Sequence, residues 1–161
     1  DFIERAFIPA PVPDPGALAA VRARLEAARL VAEEVFVLAP RYVKVSLHVT
    51  VESDSPEPIK LREQITERLR EFLDPLIGGD DRRGWPFGEP LRPSVLLREA
   101  QRALDDAGEA VAVAIKLVDS DAPAEDCDEV RISENDLVAL ADVNVSFRRT
   151  AAAMSSAGGL R

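Results

Sequence analysis

Residues 41–52 read Arg-Tyr-Val-Lys-Val-Ser-Leu-His-Val-Thr-Val-Glu, and this stretch decides the fold class. Apolar side chains alternate with polar ones along it, the apolar set being Val43, Val45, Leu47, Val49 and Val51. A strand with this alternation has one face in the core and the other facing water or a partner. The stretch therefore predicts one strand of a sheet that is covered on one face.

Helices that cover this sheet are predicted on the C-terminal side of the strand. The first begins after Ser55 and Pro58, and its apolar stripe is Leu61, Ile65, Leu69, Phe72 and Leu76. Gly78 and Gly79 are predicted to end it as a C-cap. A further helix is predicted from an N-cap at Ser94, with the apolar residues Leu97, Ala100, Ala103 and Leu104.

The residues before the strand predict a first strand-helix-strand unit over 1–40. Residues 1–9 are apolar enough for a strand, and Asp14 with Pro15 has the pattern of a helix start. The predicted helix, 15–30, carries a buried stripe of Leu18, Val21, Leu25 and Ala28. A strand over 35–38 completes the unit. Because the chain begins at Asp1 within apolar strand-like sequence, we interpret it as a piece of a longer polypeptide.

The remaining residues complete a second unit, 41–149. The apolar run 110–118 predicts a central strand covered on both faces. Val130 to Ile132 predicts a strand that stops at Ser133, and Ser133 with Asp136 resembles a capping box before Leu137, Val138 and Leu140. A last strand is expected around 143–147, and 150–161 are predicted to be a flexible tail.

These elements predict an α+β chain of two βαβ-type sheet-and-helix units, packed as two-layer sandwiches that resemble ferredoxin-like modules. The composition agrees, because 47% of the residues are hydrophobic and 30% are charged, as in soluble globular proteins. Aromatic residues make up 5%, which suits helices on sheets better than an aromatic binding cleft.

The charge and the cysteine content exclude several classes of partner and site. A net charge of −9 gives no general attraction for a phosphate backbone, so nucleic acid is not expected as a partner. No apolar run reaches the length needed to insert into a membrane. The single cysteine, Cys127, excludes an internal disulfide and a zinc site built on paired thiolates.

Candidate catalytic and metal-binding residues are few. His48 is the single histidine and lies on the polar side of its strand, where a solvated role is favoured over general-base catalysis. Acidic neighbours should raise the pKa of Cys127 and suppress its thiolate. The acidic loop 119–129 could supply oxygen ligands to calcium, but its spacing does not fit an EF-hand. We therefore predict no catalytic, cofactor-binding or metal-binding residues, and leave calcium binding by this loop open.

The most unusual stretch is Gly84-Trp85-Pro86-Phe87-Gly88. In one interpretation both rings fill the end of the core; in the other they form a docking knob, since tryptophan is enriched at interface hot spots. We expect a mixed result, with Trp85 largely buried and Phe87 more exposed, because Pro86 interrupts ordinary strand alternation and turns the rings apart.

Residues 40–117 resemble the C-terminal region of baseplate J-like proteins. The resemblance rests on the strand Tyr42 to Val45, the helix end Phe72-Leu73-Asp74-Pro75-Leu76, the Gly78-Gly79 pair, the Gly84–Gly88 block and the helix after Ser94. The strand Glu34 to Pro40 is also similar, and 130–145 more weakly. The chain departs from the family pattern at 105–110, where a Gly-Val step normally leads into the next strand.

The resemblance implies a structural baseplate wedge component of a contractile phage tail or related injection system, and no enzyme. Its implied partners are other wedge proteins, the sheath and the spike hub, in a ring assembled in the cytoplasm and kept in the phage tail-like particle. The isolated chain is expected to be monomeric. The alternative from another class is a small-molecule-binding regulatory α+β module, and a metal-dependent hydrolase is a third; each needs convergent polar groups that the sequence lacks.

Overall fold

The structure is a computed structural model that describes residues 10–30, 32–118 and 129–150. Its elements are α1 (Pro15–Glu26), β1 (Arg41–Glu52), α2 (Pro58–Phe72), α3 (Pro93–Leu104), β2 (Glu109–Leu117) and β3 (Asp136–Arg148). Helices pack on a small mixed sheet, which confirms the predicted α+β class. The division into two units stays a prediction.

The sheet has three strands in the order β2-β1-β3, so the strand predicted from 41–52 is the central one. It runs antiparallel to β2 and parallel to β3. Its buried apolar residues are Val45, Leu47, Val49 and Val51, as the alternation predicts. Small shifts of register follow Val45 on the β3 side and Thr50 on the β2 side.

Helices α2 and α3 cover one face of this sheet. The stripe predicted for α2 is buried from Leu61 to Phe72, but Leu76 lies beyond the helix and is exposed. The C-cap is Leu73, so the prediction that Gly78 and Gly79 cap α2 is wrong; they belong to the next turn, where the Gly79 N–H donates to the Phe72 carbonyl at 2.8 Å.

Helix α3 begins two residues earlier than predicted. Its N-cap is Arg92, and Pro93 takes the first helical position, where a missing N–H has no cost. Ser94 is therefore not the cap. Of the predicted stripe, Ala100 and Leu104 are fully buried and Leu97 and Ala103 are partly buried.

Three predictions for the C-terminal half are wrong. β2 pairs with β1 alone and is therefore an edge strand. It is also covered on one face only, since its small alanines at 112 and 114 lie on the uncovered face. Val130 forms an isolated bridge with Leu91 instead of starting a strand. Ser133 and Asp136 form no capping box: Asp136 is the first residue of the long strand β3, where it pairs with Arg41 of β1 and its carboxylate binds the Arg41 guanidinium.

The N-terminal segment differs most from its prediction. Asp14 is the N-cap of α1 and accepts a hydrogen bond from the Ala17 N–H at 3.0 Å, as predicted. The helix ends at Glu26 and has no buried residue, so its predicted buried stripe is wrong; Val21 is 49% and Leu25 44% exposed. Residues 35–38 form no strand. The strand predicted over 1–9 and most of the predicted tail lie outside the described residues.

Candidate functional site

The Gly84–Gly88 loop is held by backbone hydrogen bonds to the turn that follows α2. The Asp74 carbonyl accepts from the N–H groups of Gly78 and Trp85, each at 2.9 Å. The Asp74 carboxylate accepts from the N–H groups of Leu76 and Ile77 at 2.7 and 3.0 Å. One residue thus fixes both the turn and the start of the loop.

Trp85 anchors the loop in the core. Its side chain is 7% exposed, and its ring meets Phe72 of α2 edge to face, with 5.4 Å between the centroids. Edge-to-face geometry is favourable for aromatic pairs. The indole N–H is buried and has no hydrogen-bond acceptor among the described residues, which costs free energy. The ring is therefore held by packing alone.

Two glycines give the loop its shape. Gly84 and Gly88 have φ angles of 99° and 66°, a region that other residues rarely adopt. A Cβ would lie 2.3 Å from the Pro75 carbonyl oxygen at Gly84 and 2.8 Å from the Glu134 Cα at Gly88. The loop therefore requires glycine at both ends to approach the backbone this closely.

Phe87 lies on the other side of the loop and is 57% exposed. The predicted contrast between a buried Trp85 and an exposed Phe87 is confirmed. Phe87 lines an open depression of about 820 Å³ together with Phe36 and Leu38, which are 76% and 78% exposed. We name these three side chains the apolar patch. Pro86, between the two rings, is exposed as well.

An ion pair forms the polar wall of the same depression. The Arg41 guanidinium donates to both carboxylate oxygens of Asp136, at 2.7 and 2.8 Å, and the Asp136 side chain is nearly buried. The hydrogen bonds from Arg41 lower the pKa of Asp136, although burial opposes this. The Gly88 N–H donates to the Asp136 carbonyl at 3.0 Å, which ties the loop to β3.

The segment before β1 is joined to the sheet beside this depression. The Tyr42 hydroxyl donates to the Pro11 carbonyl at 2.6 Å. Burial raises the pKa of Tyr42, and the charge of Asp74 raises it further. The neutral hydroxyl is therefore favoured, and it remains a donor to Pro11.

His48 lies on the uncovered face of the sheet, where its Nε2 is 3.2 Å from the Ser146 hydroxyl of β3. The serine also lies 3.4 Å from the Val49 carbonyl, which offers it a backbone acceptor. Within 10–30, 32–118 and 129–150, no carboxylate forms a hydrogen bond with His48. The pair has the geometry of a cross-strand contact on an open face.

A buried carboxylate joins α2 to α3, and the sequence predictions missed it. Glu99 is fully buried and accepts hydrogen bonds from Arg68 of α2 and from Arg98 and Arg102 of α3, the shortest at 2.6 Å. Arg98 also pairs with Asp80 at 3.0 Å. The signal was present, because Glu99 shares the inward stripe of α3 with Leu96 and Ala100.

The acidic loop proposed for calcium falls almost wholly outside the described residues. Glu129 is described, and its carboxylate pairs with Arg92 at 2.9 Å. Cys127 is not described. Among the residues that the structure does describe, no group of three or more histidine, cysteine, aspartate or glutamate side chains could hold a metal ion.

No protein-family model matches the chain, and no curated protein matches it in sequence. Among the described helices, none combines the length and apolar composition required to cross a bilayer. The resemblance to baseplate J-like proteins therefore rests on the sequence blocks alone.

Proposed function

We propose that the chain is a structural component that docks to neighbouring protein subunits, as a wedge component of a contractile injection baseplate would. One observation carries the proposal. Three large apolar side chains, Phe36, Leu38 and Phe87, are more than half exposed around one depression. Soluble monomers rarely expose clustered apolar side chains, whereas interaction sites commonly do.

The construction of the Gly84–Gly88 loop supports docking at this place. Trp85 fixes the loop in the core, while two glycines at positive φ and the Gly88 hydrogen bond to β3 hold its tip. Phe87 is therefore presented by a rigid loop, and rigid apolar anchors lose little entropy on binding. The Arg41–Asp136 pair supplies a polar rim.

The assignment of the machine rests on the resemblance described above. The Gly-Trp-Pro-Phe-Gly block is its most specific part, and that block is also the loop that presents Phe87. Partner wedge proteins, the sheath and the spike hub are accordingly the proposed neighbours, and the chain is proposed to have no catalytic role. The rival regulatory module would need an enclosed polar-lined pocket.

A particle assay tests this proposal. Cells of the source organism lacking the gene should form no sheathed particles, and the wild-type gene should restore them. Phe87→Ala should fail to restore particles although the purified variant keeps its urea-unfolding midpoint, and Pro86→Ala, an exposed neighbour, is the matched control. Normal particles without the gene, or with Phe87→Ala, would contradict the proposal.

A further inference from the structure

Within the part of the chain that the structure describes, one strand-like segment has no backbone partner and one edge of the sheet has no paired strand. Residues 34–39 read Glu-Val-Phe-Val-Leu-Ala, a strand-like sequence that forms no strand, and their backbone makes no hydrogen bond to any described residue. β2 lies at the edge of the sheet. We call residues 34–39 the donor segment.

The free edge of β2 has a defined set of hydrogen-bonding groups. The Val118 N–H donates to the Lys44 carbonyl of β1, so the even-numbered residues of this part of β2 point their backbone groups toward β1. The N–H and carbonyl groups of Val113, Ile115 and Leu117 therefore point away from the sheet. Edge strands normally carry charges or prolines that prevent pairing, yet β2 has charges only at Glu109 and Lys116.

One antiparallel register matches the two elements in charge and size. With Glu34 opposite Lys116, Phe36 lies opposite Ala114 and Leu38 opposite Ala112 on the uncovered face of the sheet. Each large donor side chain then meets a small one, and the single charged pair is of opposite sign. On the covered face, Val35 comes beside Ile115 and Val37 beside Val113.

The backbone groups fit the same register. Val35 and Val37 would form the hydrogen-bonded pairs with Ile115 and Val113, and both valines carry the N–H group that such a pair requires. Pro40, which has no N–H, follows the donor segment and lies outside these pairs.

The two elements cannot meet within one chain in this arrangement. The donor segment lines the depression beside Phe87 and Asp136, at the start of β3, and β1 lies between β3 and β2. We infer that the donor segment of one copy adds as an edge strand to β2 of a second copy. Because donor and acceptor are different surfaces, the contact is head-to-tail and repeats into a ring or a filament.

This inference rests on the proposed function, since it supplies the contact by which copies would follow one another around a baseplate ring. The isolated chain is expected to remain mainly monomeric, because a single strand addition is weak until many copies act together. Phe87 lies outside both the donor segment and β2, so the Phe87→Ala particle assay tests the proposed function, whereas the peptide assay below tests the strand addition in the isolated chain; the two proposals therefore fail separately.

A peptide of residues 33–40 tests the inference against the full chain. Amide hydrogen exchange of Val113, Ile115 and Leu117 is measured by NMR with and without peptide. At a peptide concentration of about twice its Kd, exchange at these free-edge amides should slow about threefold. The control peptide carries proline at 35 and 37, which removes the pairing N–H groups and should cause no slowing.

A charge exchange makes the register itself testable. Lys116→Glu should weaken binding of the wild-type peptide, and a Glu34→Lys peptide should bind the variant chain more tightly than the wild-type peptide does. Protection along β3 instead of β2, equal slowing by the proline peptide, or no slowing at all would each overturn the inference.

Discussion

Helices α1 and α2 have the same kind of sequence pattern but very different surroundings. Both begin with a proline in the first turn and carry apolar residues at three- and four-residue spacing. Four residues of α2 are buried, whereas α1 buries none. Periodicity therefore indicates that a helix has a face to bury, but it does not indicate against what. In α2 the face meets the sheet; in α1 it remains on the surface.

The burial of apolar side chains differs in the same way between the two larger regions of the chain. The body from β1 to β3 buries its apolar side chains around Leu47, Ile65 and Leu96, while residues 10–40 expose Val21, Leu25 and others. Substitutions of equal chemistry should therefore have unequal effects on the free energy of unfolding in the two regions.

The largest difference is expected between the two rings of the Gly84–Gly88 loop. Trp85→Ala should lower the free energy of unfolding by about 3 kcal/mol or more, because it removes a large buried ring. Phe87→Ala should change it by less than about 0.5 kcal/mol, as for other exposed positions. Urea unfolding of both variants measures this; equal losses would show that the two rings do not differ in role.

A second pair compares the helices directly. Leu69→Ala in α2 should cost about 2–5 kcal/mol, since Leu69 is fully buried. Leu25→Ala in α1 should cost less than about 0.5 kcal/mol, and alanine preserves the helix propensity in both cases. A loss of more than about 1 kcal/mol for Leu25→Ala would place α1 within the cooperative core.

Substitution of Glu99, the buried carboxylate between α2 and α3, should lower the free energy of unfolding by a smaller amount. Glu99→Ala should cost about 2 kcal/mol, because it removes several hydrogen bonds from charged donors, although the arginines can turn toward water. Arg102→Ala is the matched control, since Arg68 and Arg98 still satisfy Glu99. Chemical unfolding of the two variants should rank Glu99→Ala as the more damaging.

The smallest expected effect is a pH dependence of the free energy of unfolding that comes from the Arg41–Asp136 ion pair. Arg41 lowers the folded-state pKa of Asp136 below its unfolded value, so the carboxylate adds stability above the unfolded pKa. That stability is lost as the pH falls from about 5 through the folded pKa. Asp136→Asn should therefore lose less stability than the wild type over this acid range. If the free energy of unfolding of the wild type and of Asp136→Asn fell equally with pH, the result would contradict a stabilising ion pair.

The sequence predicted those elements whose apolar residues pack into the core of the described fold. Alternation at 43–51 located the central strand, and the stripe from Leu61 to Phe72 located α2. Residues 35–38 have strand-forming side chains, but a strand requires a hydrogen-bonding partner, and the sequence of one element does not specify it. β2 was predicted to be central and covered on both faces because its residues are nearly all apolar. Its alanines at 112 and 114, however, are small enough to lie on an uncovered face.

For the candidate site, the sequence identified the loop and the different burial of its rings, but not the apolar patch. Phe36 and Leu38 are 49 or more positions before Phe87, and the chain brings them together through β1 and β3. Glu99 was missed because a charged side chain is expected to be exposed unless it is paired. The arginines that pair with it cannot be identified from the sequence of α3 alone.

The most direct measurement is hydroxyl-radical footprinting of the isolated chain and of assembled particles, read residue by residue at Phe36, Leu38 and Phe87. These side chains are exposed in the isolated chain and should be oxidised there. In particles they should be protected by the neighbouring subunit, while Trp85 should be protected in both states. Equal oxidation of the apolar patch in both states would contradict its role in docking.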